Sequence, residues 1–249
     1  IISRTCLLYS TVWIQYTRAM GMGMAMDMVT VMGITMMTQG TNQNLGIKKY
    51  LNVKQTQRMA IAIETGIADL LVIQPNVFED ERGYFFESFN QKEFEDKVCK
   101  TKFIQDNESK SSYGVVRGLH FQKPPFAQSK LVRVVKGAVL DVAVDIRKDS
   151  PTFRQHVAVE LTEDNHRQFF IPRGFAHGFS VLSKEVIFQY KCDNFYAPQS
   201  EGAIAWDDPD LGIDWQISID EILLSEKDKS HPKLAEIIFY CVMPWWESS

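Results

Sequence analysis

From Ile61 onward the chain falls into short alternating or aliphatic runs, about ten residues apart and separated by turn residues. No run is followed by a long helical pattern. Strands are predicted at 70–73, 83–89, 103–108, 115–121, 130–135, 138–146, 156–161, 167–171, 177–183 and 186–192, with a turn or two of helix at 91–99. The turns Lys136-Gly137, Asp149-Ser150-Pro151 and Glu163-Asp164-Asn165 keep the connections short. That spacing favours an antiparallel sandwich or barrel over a parallel sheet with crossover helices.

Two strands show what lies between the sheets. In 138–146, Ala138, Leu140, Val142, Val144 and Ile146 alternate with Val139, Asp141, Ala143 and Asp145. Acids on a half-apolar face need partners or water. In 186–192, Phe188, Tyr190 and Cys192 share a face. An interior carrying Asp, His and Tyr is a pocket more than a packed plug. Along 115–122, strict alternation places His120 with Gly118 and Gln122, and turns Arg117, Leu119 and Phe121 the other way.

Charge is unevenly spread. Residues 1–58 hold six Lys/Arg and one Asp, a net +5, while residues 59–249 hold 21 Lys/Arg against 30 Asp/Glu, a net −9. The acidic part is unlike a nucleic-acid binder. Cys6, Cys99, Cys192 and Cys241 form no C-x-x-C pair, which suits reduced thiols in a cytoplasm. Residues 20–37 carry eight of the ten methionines in a near-dipeptide repeat. The apolar run 19–37 is long enough to span a bilayer but has Asp27 in its middle, and thioether ligands for Cu(I) there lack a nearby Cys or His. We therefore expect 1–58 to be an extension outside the fold, with patterning beginning after Met59-Ala60. A domain is expected over 59–236, and 237–249, with Trp245 and Trp246, reads as an apolar tail.

Ile171-Pro172-Arg173-Gly174-Phe175-Ala176-His177 contains P-x-G-x-x-H, which resembles the second motif of the cupin superfamily. The first cupin motif would supply H-x-H, and here His120 is followed by Phe121-Gln122. A site of two histidines and one carboxylate, from His120, His177 and Asp141 or Glu87, is the metal-dependent alternative, opposed by the nearby Lys130. With the neighbouring motifs the resemblance narrows. Asp80 to Glu87, Gln105-Asp106-Asn107, Arg117-Gly118-Leu119-His120, Gln128-Ser129-Lys130, Leu140-Asp141-Val142, Pro172 to Phe179, Gln189-Tyr190, Tyr196, Ser200-Glu201-Gly202 and Leu224 to Asp228 are similar, in order over 61–234, to the dTDP-4-dehydrorhamnose 3,5-epimerases.

The resemblance implies an all-β, cupin-type jelly roll (a double-stranded β-helix) with short peripheral helices, a homodimer, a dTDP-sugar substrate and no cofactor or metal. It implies cytoplasmic location, with neither nucleic acid nor membrane as partner of the core domain. Inverting a carbon beside a ketone needs a base, a donor for the enolate oxygen and an acid on the opposite face. His120 is the natural base, with Asp228 matching the carboxylate that orients it; Lys130 is the enolate donor and Tyr190 the acid. Arg82 and Arg117 are forked donors for phosphate, and Tyr196 matches the residue that stacks on thymine. Glu87, Gln105, Asp106, Asn107, His177, Glu201 and Lys227 match other binding positions. Singly, Lys130 reads as a solvated strand-edge charge, Asp228 as a helix N-terminal acid and Tyr190 as a core aromatic with its hydroxyl at the rim. Together, in register, they read as a site. Inversion of both C3 and C5 is expected. Inversion of one carbon only, a metal-dependent cupin enzyme and a silent sugar-nucleotide binder are the alternatives.

Overall fold

The computed structural model describes residues 61–237, together with the backbone of three strands near the N-terminus. The chain divides into two compact units, Ile1–Lys54 and Gln55–Ser249, each treated by itself. In the first, β1 (Gln15–Ala19), β2 (Met26–Val31) and β3 (Ile34–Met37) form an antiparallel sheet in the order β1-β2-β3. All of the expected tail 237–249 except Ile237 lies outside the described residues, as does most of the extension.

The second unit is a two-sheet sandwich. One sheet takes β4 (Ile61–Glu64), β5 (Leu71–Gln74), β8 (Gln105–Ser112), β10 (Lys130–Lys136), β13 (Gln168–Ile171) and β15 (Glu185–Cys192), ordered β4-β5-β13-β10-β15-β8. The other takes β9 (Val116–Gln122), β11 (Ala138–Asp145), β12 (His156–Thr162), β14 (Phe175–Val181) and β16 (Glu201–Ala203), ordered β12-β11-β14-β9-β16. Within both sheets the pairings are antiparallel. The order β5-β13-β10-β15 pairs strands distant in sequence, as a jelly roll does.

Side-chain alternation sorts three apolar layers. Between the sheets, Val132, Val139, Ala143, Phe169, Phe175, Phe179, Val186 and Phe188 are buried together. The far face of the five-stranded sheet presents Val116, Leu119, Leu140, Val142 and Val144, covered by Ile204, Leu211, Trp215 and Leu234 of the loop-rich C-terminal segment. On the far face of the six-stranded sheet, Leu131 and Phe170 meet Phe94 of helix α1 (Gln91–Lys97). Asn90 caps this helix, its side chain accepting from Glu93 N at 3.2 Å, as an N-cap amide does.

The alternation expected in β11 holds. Its acids have the partners their burial demands: Asp145 accepts from Arg147 Nη2 at 2.9 Å, Ser150 Oγ at 2.6 Å and Thr152 Oγ1 at 2.7 Å. Elsewhere the expectations need correction. The strand expected over 83–89 stops early: β7 (Gly83–Phe85) pairs only with β6 (Phe78–Asp80) in an exposed hairpin. Phe86 then leaves that ladder to contact the His166 ring, with the Arg133 guanidinium over its own ring. The strand expected over 103–108 starts later and runs on to Ser112.

The correction that matters for function lies in β9. His177 pairs with His120, but Phe179 pairs with Arg117, so β9 uses three steps where β14 uses two. This is a β-bulge, and one extra residue reverses the alternation beyond it. Arg117 therefore shares a face with His120, not with Leu119 and Phe121. Gly118 occupies the bulge at φ +125°, pressed against the backbone of Gly178, where only glycine fits.

Candidate active site

Between the sheets, beside the apolar core, lies a cavity of about 480 Å³. Its lining includes Arg117 and His120 from β9, Lys130 from β10, His177 from β14, Tyr190 from β15, and Lys227 and Asp228 from the C-terminal segment. Seven of the fourteen expected site residues thus meet in one space. Phe179 and Phe188 form its apolar wall, stacked at 4.3 Å between ring centroids.

Asp228 and His120 are 108 positions apart in sequence, and backbone pairing brings them together. Leu223 N donates to Gly114 O at 2.8 Å and Val116 N to Leu223 O at 3.0 Å, fastening the C-terminal segment beside β9. Five residues later Asp228 Oδ1 sits 2.7 Å from His120 Nε2. Ser225 fixes the carboxylate, donating from Oγ to Oδ2 at 2.7 Å while accepting from Asp228 N at 3.1 Å. Burial pushes the Asp228 carboxyl up, but the bonds from His120 and Ser225 outweigh it and hold the group below its ordinary range. An ionised carboxylate only accepts, so Nε2 of His120 carries a proton in this bond.

A second histidine–carboxylate pair lies deeper. His177 Nε2 is 3.0 Å from both oxygens of Asp141, whose side chain is 0% exposed. Burial keeps the His177 imidazole neutral, lowering its pKa despite Asp141. In the metal-dependent alternative His120 and His177 would share one carboxylate; here each ring is bonded to a different acid, His120 to Asp228 and His177 to Asp141. Lys130 holds its ammonium 5.9 Å from the Tyr190 ring centroid. Burial lowers the Lys130 pKa and raises that of the Tyr190 hydroxyl, which therefore keeps its proton.

Four more expected residues gather at the rim. Lys227 Nζ donates to Glu201 Oε2 at 2.5 Å, and Glu201 also accepts from the Tyr196 hydroxyl. Gln105 Oε1 accepts from Tyr196 N at 3.2 Å, and the Gln105 amide donates to Asn107 Oδ1 at 3.1 Å; Asn107 in turn donates to Cys192 Sγ at 3.8 Å. Three expected residues are not brought to the cavity. Asp106, one step along β8 from Gln105 and Asn107, binds Lys191 Nζ at 2.9 and 3.0 Å. Glu87 accepts from Asn90 Nδ2 at 3.2 Å. Arg82, its side chain 84% exposed, binds Asp80 at the tip of the β6–β7 hairpin.

Ser225 lies inside the motif Leu224 to Asp228, but nothing in the local pattern marks it as the support of Asp228, and nothing marks His231. His231 lies against the His120 ring, centroids 5.4 Å apart, and neither of its ring nitrogens has a hydrogen-bond partner.

A cavity flanked by a carboxylate-oriented imidazole, a half-buried ammonium and a protonated phenol suits proton transfer at a carbon next to a carbonyl. Comparison with known proteins agrees. The profile of the dTDP-4-dehydrorhamnose 3,5-epimerase family matches residues 64–236. The chain belongs to this family. The Salmonella typhimurium dTDP-4-dehydrorhamnose 3,5-epimerase is 53% identical over 182 residues, 72% of this chain and 98% of that protein. The Escherichia coli enzyme of the same name is 50% identical, covering 71% and 95%. Among solved structures, the Legionella pneumophila dTDP-6-deoxy-D-glucose-3,5-epimerase in complex with dTDP-4-keto-L-rhamnose is 48% identical with a TM-score of 0.70, covering 72% of this chain and 95% of that one. The 3'-monoepimerase from Streptomyces bikiniensis, in complex with dTDP-quinovose, is 33% identical with a TM-score of 0.65, covering 68% and 86%. The expected cupin-like jelly roll and the expected family both hold for this epimerase-family chain.

Proposed function

We propose that this protein inverts C3 and C5 of dTDP-4-dehydro-6-deoxyglucose, giving dTDP-4-dehydro-rhamnose, without a cofactor. One observation carries the reading: the imidazole and the phenol come from opposite sheets, His120 from β9 and Tyr190 from β15, and flank the same cavity. Inversion needs a proton removed on one face of the sugar and returned on the other, and two walls of a sandwich supply two faces.

His120 takes the α-proton on its ring nitrogen that is not bonded to Asp228, and the Asp228 carboxylate steadies the imidazolium that results. Lys130 holds its ammonium toward the enolate oxygen, in a setting where such a donor is worth about 3–4 kcal/mol. Tyr190, still protonated because burial raises its pKa, returns a proton from the far wall. Asp141 keeps the His177 ring in place as a hydrogen-bonding wall for the sugar. Arg117, turned into the cavity by the bulge, binds the diphosphate with Lys227, and Tyr196 stacks on the base beside Glu201, Gln105 and Asn107.

Arg82, Glu87 and Asp106 fit this reading through a homodimer. The β6–β7 hairpin exposes Phe78, Tyr84 and Phe85 along with Arg82, and an apolar, cationic hairpin of this kind suits contact with a second copy. The acidic second unit, and the lack among the described residues of any helix long and apolar enough to cross a membrane, accord with a cytoplasmic enzyme.

The test is solvent deuterium incorporation with the dTDP sugar, read by NMR of substrate and product. His120→Ala should lose exchange at both carbons. Tyr190→Phe should retain exchange and lose inversion. Full exchange in His120→Ala would sink the assignment, and deuterium at a single carbon of wild-type product would establish a monoepimerase instead.

A further inference from the structure

His231 has no part in the scheme above, yet its side chain is only 8% exposed and both ring nitrogens lack a hydrogen-bond partner. A buried imidazole left unpaired costs free energy that a ligand would repay. The ring is held where it is. On its C-terminal side Pro232 O accepts from Ala205 N at 2.8 Å, and Leu234 N donates to Asp208 Oδ2 at 2.7 Å. Its Nδ1 lies 3.7 Å from Asp228 Oδ1, longer than a hydrogen bond. That same oxygen is 2.7 Å from His120 Nε2, and the donor atoms of the three residues all lie within 4.8 Å of one another.

Two imidazoles and a carboxylate around one point are ligands for a borderline divalent cation. Tetrahedral zinc, at about 2.0–2.1 Å from each nitrogen or oxygen, places its ligands roughly 3.3–3.5 Å apart. The observed separations of 2.7 and 3.7 Å bracket that spacing. The nearby positive charge of Lys227 is matched by its partner Glu201. His120, at 41% side-chain exposure, is the open member of the trio and gives access from the cavity.

We infer that His120, Asp228 and His231 form an inhibitory site for zinc-like divalent cations. A cation at His120 Nε2 takes the place of the proton shared with Asp228. That proton moves to the other ring nitrogen, so the bound imidazole stays neutral but no longer has a lone pair for the sugar. The inhibition rests on His120 being the base; the binding does not.

The experiment uses the full chain without a polyhistidine tag, freed of metal by chelator. Cobalt(II) chloride reports geometry directly, because tetrahedral coordination gives intense visible bands that the aqueous ion lacks. Zinc chloride is then titrated against deuterium exchange, with magnesium chloride as the control. Strong cobalt bands, displacement of cobalt by zinc and loss of exchange with zinc alone are expected. His231→Leu should keep most of its metal-free activity and need at least about tenfold more zinc for the same loss. Should that variant misfold, zinc-induced shifts of the His231 ring nitrogens in wild-type protein carrying 15N-histidine serve in its place. A cobalt spectrum unchanged by protein, unshifted His231 nitrogens, or equal zinc sensitivity in His231→Leu would overturn the site. Cobalt bands with undiminished exchange would uphold the site and overturn His120 as the base.

Discussion

Asp228→Asn separates orientation by a charge from orientation by shape. The carboxylate takes two short bonds, from His120 and from Ser225 Oγ, both at 2.7 Å, and its side chain is only 6% exposed. Asparagine has the same outline but no charge and only one acceptor oxygen. If its amide NH2 turns to His120, the imidazole must accept there and carry its proton on the nitrogen the sugar needs. If the oxygen stays, the bond survives without its charge assistance. Charge-assisted bonds contribute about 1.5–3 kcal/mol, and the loss falls on the state in which His120 becomes cationic. At 1.36 kcal/mol per tenfold, kcat should fall by about 10- to 150-fold. The contacts proposed for Arg117, Lys227 and Tyr196 with the substrate are untouched, so KM should stay within about threefold. Initial rates and single-turnover deuterium exchange measure both quantities. Ser225→Ala is the companion, removing one neutral donor worth about 1 kcal/mol and so costing about fivefold. A kcat for Asp228→Asn within about threefold of wild type would refute the dyad.

Two further outcomes follow from the same geometry. Burial lowers the Lys130 pKa, so the folded chain binds that proton less tightly than the unfolded chain, and the ammonium opposes folding at neutral pH. Lys130→Met should therefore melt higher while losing activity. The gain should be largest at neutral pH and shrink as pH rises toward the ordinary lysine pKa near 10.4, and calorimetry across pH checks it. Gly118→Ala puts a methyl group against Gly178 at a φ of +125°; a loss of about 3 kcal/mol or more, some 6–12 °C in Tm, is expected in thermal denaturation.

The sandwich was legible because its strands alternate and its turns carry their own residues: β11 shows both faces in eight letters. Its two acids announced a need for partners, but not that Asp141 would find His177 while Asp145 found Arg147. Local pattern also could not show the bulge at Gly118, since that is a mismatch between two strands and neither strand alone reveals it. Arg117 was assigned to the wrong face for this reason. Asp228 was legible only through family likeness, because nothing near it in sequence says that the Leu223–Gly114 pairing will carry it to His120. His231 left no trace at all, since its significance is a neighbourhood that forms only when the segment carrying Asp228 and His231 meets β9. Arg82 and Glu87 mark the limit of a single chain, which leaves both away from its own cavity.

The bulge in β9 also bears on how such a cavity diverges. Here deletion of a single residue at Gly118 would leave Arg117 in the chain, unmutated, and aim its guanidinium at the apolar layer under Trp215. The face that Arg117 presents is thus stored as a count of residues between two hydrogen-bonded pairs, a quantity that a residue-by-residue comparison of types does not register.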